Sequence, residues 1–190
     1  AKENRVWVLS DLAYSELYYD GKPTRSILEV PGAKDVAVEF TSMSKTYSMA
    51  GWRMGFAVGN PTLISALSRV KSYLDYGAFT PIQAAACAAL NGPQDHLDDW
   101  LAKFDERRRY AAGRLNNMSG ISCINCKGAF YLFPNMSGTG LKSAEFCERL
   151  LEQAKVAAVP GIAFGADNNF RISYATSMEN IQAGMARLED

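Results

Sequence analysis

The chain has 190 residues, 48% of them hydrophobic and 21% charged, with a formal net charge of zero. That is the composition of a globular protein with a buried core, in one large domain or two small ones. It carries no basic block to meet nucleic acid or an anionic membrane surface, and no apolar run of the roughly 20 residues that span a bilayer.

In chain order, residues 1–5 are not followed by the hydrophobic region of a signal peptide. Val6-Trp7-Val8-Leu9 reads as a buried parallel strand ending at Ser10-Asp11-Leu12-Ala13-Tyr14. In open α/β sheets, ligands bind beyond the carboxyl ends of strands, so Asp11 is either a functional acid or an ordinary turn or cap residue. Asp20-Gly21 and Lys22-Pro23 mark turns, and Ile27 to Val30 reads as a short helix or an extended segment. Asp35 to Thr41 alternates apolar and polar residues and reads as a second strand. Gly55 to Gly59 reads as a third, a short loop later, which suits an antiparallel partner.

Between these last two strands lies Ser42-Met43-Ser44-Lys45-Thr46-Tyr47-Ser48-Met49-Ala50-Gly51-Trp52-Arg53-Met54-Gly55. The ordinary reading of such a loop is a solvated turn, and it is not a Walker loop. The functional reading is a lysine whose amine, desolvated near backbone, attacks carbonyls. Hydroxyls and an arginine around it suit a phosphate.

Asn60-Pro61-Thr62 starts a helix, with Asn60 as cap and Leu63, Ile64, Leu67, Val70, Tyr73 and Leu74 recurring at helical period up to Gly77. Thr80-Pro81 starts a second, alanine-rich helix that stops at Asn91-Gly92-Pro93, and its alanines allow close packing. From about Gln94 a long amphipathic helix gathers Leu97, Trp100, Leu101, Phe104, Ala111 and Leu115 on one face. Arg107 to Arg109 then fall mainly on its solvated side, and a helix of this length suits a connector between domains. Gly128 to Pro134, Val156 to Val159 and Phe170 to Ala175 read as strands. A helix capped by Ser143 and a last helix opened by a Thr176-x-x-Glu179 capping box complete a small α+β layer pair. The four cysteines are Cys87, Cys123, Cys126 and Cys147, and His96 is the only histidine. Zinc needs about four ligands and Cys123-Ile-Asn-Cys126 stands alone, so no metal is expected; reduced thiols and a cytoplasmic protein are.

Ser-x-Ser-Lys followed by Arg-x-Gly closely resembles the lysine signature of class I/II aminotransferases, the fold type I enzymes that use pyridoxal phosphate. Asp11-x-x-Tyr14, about thirty residues earlier, keeps the family's order, and Phe170-Arg171-Ile172-Ser173-Tyr174 resembles its late arginine motif. The resemblance implies roles position by position. Lys45 matches the amine that condenses with the cofactor and shuttles the substrate proton. Asp11 matches the partner of the pyridine nitrogen, and Tyr14 the donor to the ring oxygen. Ser42, Ser44 and Arg53 match phosphate-binding positions, and Arg171 matches the receptor of the substrate α-carboxylate. Gly128 to Tyr131 and Val159 to Gly161 resemble small-domain segments that are structural or line the substrate entrance.

The fold so implied is α/β. Residues 1–92 would be part of the large cofactor-binding domain, a mainly parallel sheet with helices; residues 93–190 would be a connecting helix and the smaller α+β C-terminal domain. The family's Asn-Pro-x-Asn-Pro-Thr-Gly motif, its stacking aromatic and a phosphate-binding turn are absent, so the chain resembles the C-terminal half. Exposed strand faces and weak cofactor binding by this piece alone are expected. The activity implied is transamination between an L-amino acid and a 2-oxo acid, in a full-length homodimer. Asp-x-Ala-Tyr and Val-Pro-Gly-Ala-Lys-Asp look like the alanine and LL-diaminopimelate branch. Val-Pro-Gly-Ile-Ala-Phe-Gly looks like aspartate aminotransferases. A C–S lyase on the same fold, an aminotransferase-like effector domain of a transcriptional regulator, and a non-catalytic remnant are the alternatives.

Overall fold

Three strands organise the first half of the chain. A computed structural model describes residues 1–189, and the chain divides into two compact units, Ala1–Leu97 and Asp98–Asp190. In the first unit β1 (Val8–Asp11), β2 (Ala37–Ser42) and β3 (Gly55–Gly59) form a sheet in that order. β1 runs parallel to β2, while β3 runs antiparallel to it, the arrangement that the intervening loop suits. The first strand begins two residues later than its apolar run suggests, because Val8 is the first residue to pair with β2. It is an edge strand, not a buried one, and Leu9 is 70% exposed.

Glu39 departs from the alternating pattern of β2. Alternation places it on a polar face, yet it is only 6% exposed. Its carboxylate accepts hydrogen bonds from the Ser26 hydroxyl at 2.8 and 3.0 Å, from the Ile27 amide at 2.9 Å and from the Ser10 hydroxyl at 3.4 Å. Those donors sit on β1 and at the start of a 3-10 turn, Ile27–Glu29, which Ser26 and Glu29 close as a capping box.

The lysine loop contains one short helix, α1 (Met43–Thr46), and a 3-10 turn, Ala50–Trp52. α2 (Pro61–Leu74) starts where its cap demands: the Asn60 side chain accepts from the amides of Thr62 and Leu63. Beyond the half-buried Leu63 and Ile64 at its start, its apolar stripe is left uncovered by the described residues. No residue of α2 is buried, and Leu67, Val70, Tyr73 and Leu74 are exposed. α3 (Thr80–Asn91) does pack; Ala86 is buried against Met43 and Met49, with Ala85 and Ala89 alongside.

α4 (His96–Asn116) opens at the end of the first unit and supplies the second unit's scaffold. Phe104, Ala111, Ala112 and Leu115 are buried. Arg108, expected on the solvated side, is 1% exposed. It pairs with Asp105 at 2.6 Å and donates to the Cys126 carbonyl at 2.5 Å, which replaces the water it loses. β4 (Tyr131–Leu132), β6 (Phe170–Ser173) and β5 (Val159–Pro160) form an antiparallel sheet in that order. Two of these strands are far shorter than their apolar runs. α5 (Ser143–Arg149) passes into a π turn, Leu150–Ala154, and α6 (Met178–Glu189) closes the described chain.

Two caps differ from the sequence reading. Lys142, not Ser143, is the N-cap of α5, and Ser143 lies buried within the first turn. Its hydroxyl donates to Asp167 Oδ1 at 2.7 Å and accepts from the Ile162 amide at 3.1 Å. At α6 the cap is Ser177, whose hydroxyl accepts from the Asn180 amide, while Thr176 accepts from the Asn180 side chain. The four cysteines are free thiols. Burial, with a smaller push from Cys126, raises Cys123 to about 11.

The turn after β5 has no room for a side chain at Gly161: a Cβ there would lie 2.1 Å from the Ala166 carbonyl and 2.2 Å from that of Asn169. Gly161→Ala is therefore expected to cost about 2 kcal/mol or more in urea unfolding; an unchanged midpoint would contradict this packing. The hydrogen bonds from Ser143, and then Lys142, hold the Asp167 carboxyl below its usual range. A depressed carboxylate stabilises the fold above its ordinary pKa near 3.8 and loses that contribution as pH falls through its folded value. Asp167→Asn should flatten the acid limb of a stability–pH curve below about pH 4, and an identical acid limb would count against the network.

Candidate active site

The parallel pair brings two of the expected residues to one end of the sheet. Asp11 closes β1 opposite Phe40, and the Leu12 amide donates to the Phe40 carbonyl. β2 runs two residues further, to Ser42, and turns directly into α1. Asp11 is exposed, and its Oδ1 accepts from the Ala13 amide at 3.1 Å, which shapes the turn towards Tyr14.

Ser42 is the N-cap of α1: its hydroxyl accepts from the Ser44 amide at 3.1 Å. Met43 is wholly buried, its amide donates to the Met54 carbonyl, and its own carbonyl accepts from Tyr47 and Met49. The backbone of one buried residue thus ties together both ends of the loop. Lys45 stands in the single turn that results, half-buried, with Nζ 5.5 Å from the centre of the Tyr14 ring. Asp11, Tyr14, Ser42, Ser44 and Lys45 therefore belong to two adjoining strand ends.

Arg53 follows on the same loop. It adopts the left-handed backbone region at φ 53°, as does Ser48 at φ 54°. Such values cost energy for residues with a Cβ and persist where surrounding structure imposes them. The Arg53 guanidinium donates to the Ala50 carbonyl at 2.9 Å and, among the described residues, makes no ion pair. Hydroxyl groups and a guanidinium with no carboxylate partner form a donor set suited to a phosphate.

Arg171 belongs to the second unit, in the middle of β6. Its guanidinium carbon lies 4.5 Å from the centre of the Tyr131 ring and 4.7 Å from that of Phe164. Among the described residues it too makes no ion pair.

The sequence reading missed three contributors. Glu39 pins the far end of the loop that carries Tyr14, and the alternating pattern of β2, which assigned it to a polar face, gave no signal of this. Tyr47 donates to Gln94 Oε1 at 2.9 Å, and burial, then Glu16, raises its phenol above the ordinary value. A cleft of ≈ 640 Å³ runs past Glu39, Ser42, Thr46 and Tyr47, but neither Asp11 nor Lys45 lines it. The third contributor is Phe164, which no local pattern ties to Arg171.

A family model for aminotransferases of class I and II matches residues 1–188. This chain belongs to that family. Its members depend on pyridoxal phosphate, and the donor set around Lys45 fits that group. The chain is 45% identical over 177 residues to the glutamate–pyruvate aminotransferase AlaC of Escherichia coli, covering 92% of this chain and 43% of the relative. It is 40% identical over 192 residues to an LL-diaminopimelate aminotransferase of Aquifex aeolicus, covering 100% and 49%. Among solved structures, an aspartate aminotransferase from Rhizobium meliloti superposes with a TM-score of 0.94 at 37% identity, over 99% of this chain and 50% of that one. The chain spans about half the length of the relatives it matches. Among the described residues, no helix is long and apolar enough to cross a membrane.

Glu39→Ala would leave the Ser26 and Ser10 hydroxyls and the Ile27 amide without their shared acceptor. It is expected to destabilise the chain by about 3 kcal/mol, and Glu39→Gln by about 1 kcal/mol. Urea unfolding measures both, and equal small losses would show the carboxylate to be dispensable.

Proposed function

We propose that this chain is the C-terminal half of a transaminase that moves an amino group between an L-amino acid and a 2-oxo acid. The observation that carries the reading is Lys45 beside the Tyr14 ring, on a capped turn where β2 outruns the strand bearing Asp11.

Each residue then has a physical task. Lys45 Nζ would hold pyridoxal phosphate covalently. The Asp11 carboxylate would pair with the protonated ring nitrogen, and the Tyr14 hydroxyl would donate to the ring oxygen. The hydroxyls of Ser42 and Ser44 and the guanidinium of Arg53 would hold the phosphate. When bound, the cofactor supplies an electron sink for the carbanion left at the substrate's α-carbon. Lys45 Nζ would take the proton from that carbon as general base. Arg171 would pair with the substrate α-carboxylate through its free guanidinium donors.

On this reading residues 1–92 are part of the large fold type I domain, and residues 93–190 are the connecting helix and the smaller C-terminal domain. The division into compact units Ala1–Leu97 and Asp98–Asp190 supports it. We take the full-length enzyme to be a cytoplasmic homodimer. Alanine, aspartate or a similar amino acid is the donor that the relatives' names favour.

Borohydride reduction of the full-length enzyme loaded with pyridoxal phosphate, followed by peptide mapping, should leave the label on Lys45. A label on any other side chain would overturn the assignment. The chain by itself, with the apolar stripe of α2 exposed, should show no visible cofactor band and no turnover. A stable band with turnover would refute the view that it is half of an enzyme.

A further inference from the structure

The guanidinium of Arg171 sits among aromatic rings. Tyr131 and Phe164 approach it at 4.5 and 4.7 Å, and Phe133 meets Phe164 edge-on at 5.7 Å. No carboxylate neutralises it among the described residues. The rings do not form an internal core: Phe164 is 49% exposed and Phe133 is 40% exposed. A cation kept in place by ring faces, half open and with no acid beside it, is a receptor for an external carboxylate, because the rings hold the charge without using its hydrogen-bond donors.

The means of presenting Phe164 is equally specific. It ends the 3-10 turn Gly161–Phe164, whose first residue admits no side chain and donates its amide to the Asn169 carbonyl at 2.8 Å. The next amide, Ile162, is held by the buried hydroxyl of Ser143, which in turn donates to Asp167. Gly165, at φ 76°, then reverses the chain. Tyr131 comes from the other side, on β4, which pairs directly with β6.

We propose that Tyr131 and Phe164 are positioning residues for substrate recognition, acting through Arg171: the two rings restrict its guanidinium to the place where it meets the substrate carboxylate. The inference rests on the reading of Arg171 as the carboxylate receptor. Cation–π contacts of this kind correspond to roughly 2- to 30-fold in an equilibrium constant. Because amino acid and 2-oxo acid share that carboxylate, both must be affected alike.

The test uses the full-length, cofactor-loaded enzyme and the variant Phe164→Leu, chosen because the residue is half exposed, with Tyr131→Leu as a second. KM for both substrates should rise about 2- to 30-fold, with kcat within about twofold of the parent. Calorimetric binding of succinate, a carboxylate that cannot react, should weaken by a similar factor. Phe164→Tyr and Tyr131→Phe, which keep the rings, should restore both quantities. Cofactor affinity and borohydride labelling of Lys45 should be unchanged. Unaltered KM and succinate affinity in both leucine variants would overturn the inference while leaving Lys45 in place. Loss of Lys45 labelling in the parent enzyme would instead overturn the function on which it rests. A rise in KM accompanied by lost cofactor affinity would also overturn it, since the rings would then be serving the fold alone.

Discussion

The parallel pairing of β1 with β2 is the constraint on which the rest depends. It is a register as much as a contact. With Asp11 opposite Phe40, the second strand outruns the first by two residues before it turns at Ser42. A slip of one residue would reverse the faces of every side chain on β1, and Asp11 with them. Glu39 enforces this register from within, since its carboxylate gathers donors from β1 and from the turn at Ser26. Met43 then fixes the lysine loop, because its burial against α3 decides where the single turn holding Lys45 can stand.

Three arginines show how environment assigns different tasks to one side chain. Arg108 is buried, so it must be fully paired; Asp105 and the Cys126 carbonyl satisfy it, and it ties α4 to the segment before β4. Arg53 is exposed and held by a single backbone carbonyl. Arg171 is held by rings. The latter two lack a carboxylate partner among the described residues, so each keeps donors for an anion. Both stand on backbone that long-range structure imposes, a left-handed residue in one case and a three-stranded sheet in the other.

The first unit also exposes apolar surface that its own residues do not cover. Leu9 on the edge strand and Leu67, Val70, Tyr73 and Leu74 on α2 meet solvent. A stripe at helical period normally faces a core. Here the period is correct and the opposing surface is not within the described residues. That accords with a chain spanning about half the length of its relatives.

The sequence by itself determined whatever rests on neighbours along the chain. The Asn60 cap, the antiparallel return of β3, the alanine helix and the lysine signature that marks the family were all legible, because each depends on a few consecutive residues. Tertiary structure decided the rest. It buried Glu39 and Arg108 against the pattern, moved two helix caps by one residue, cut β4 and β5 to two residues each, and set Phe164 over Arg171. Those outcomes depend on partners far away in sequence, whose hydrogen bonds and ring faces no local propensity encodes.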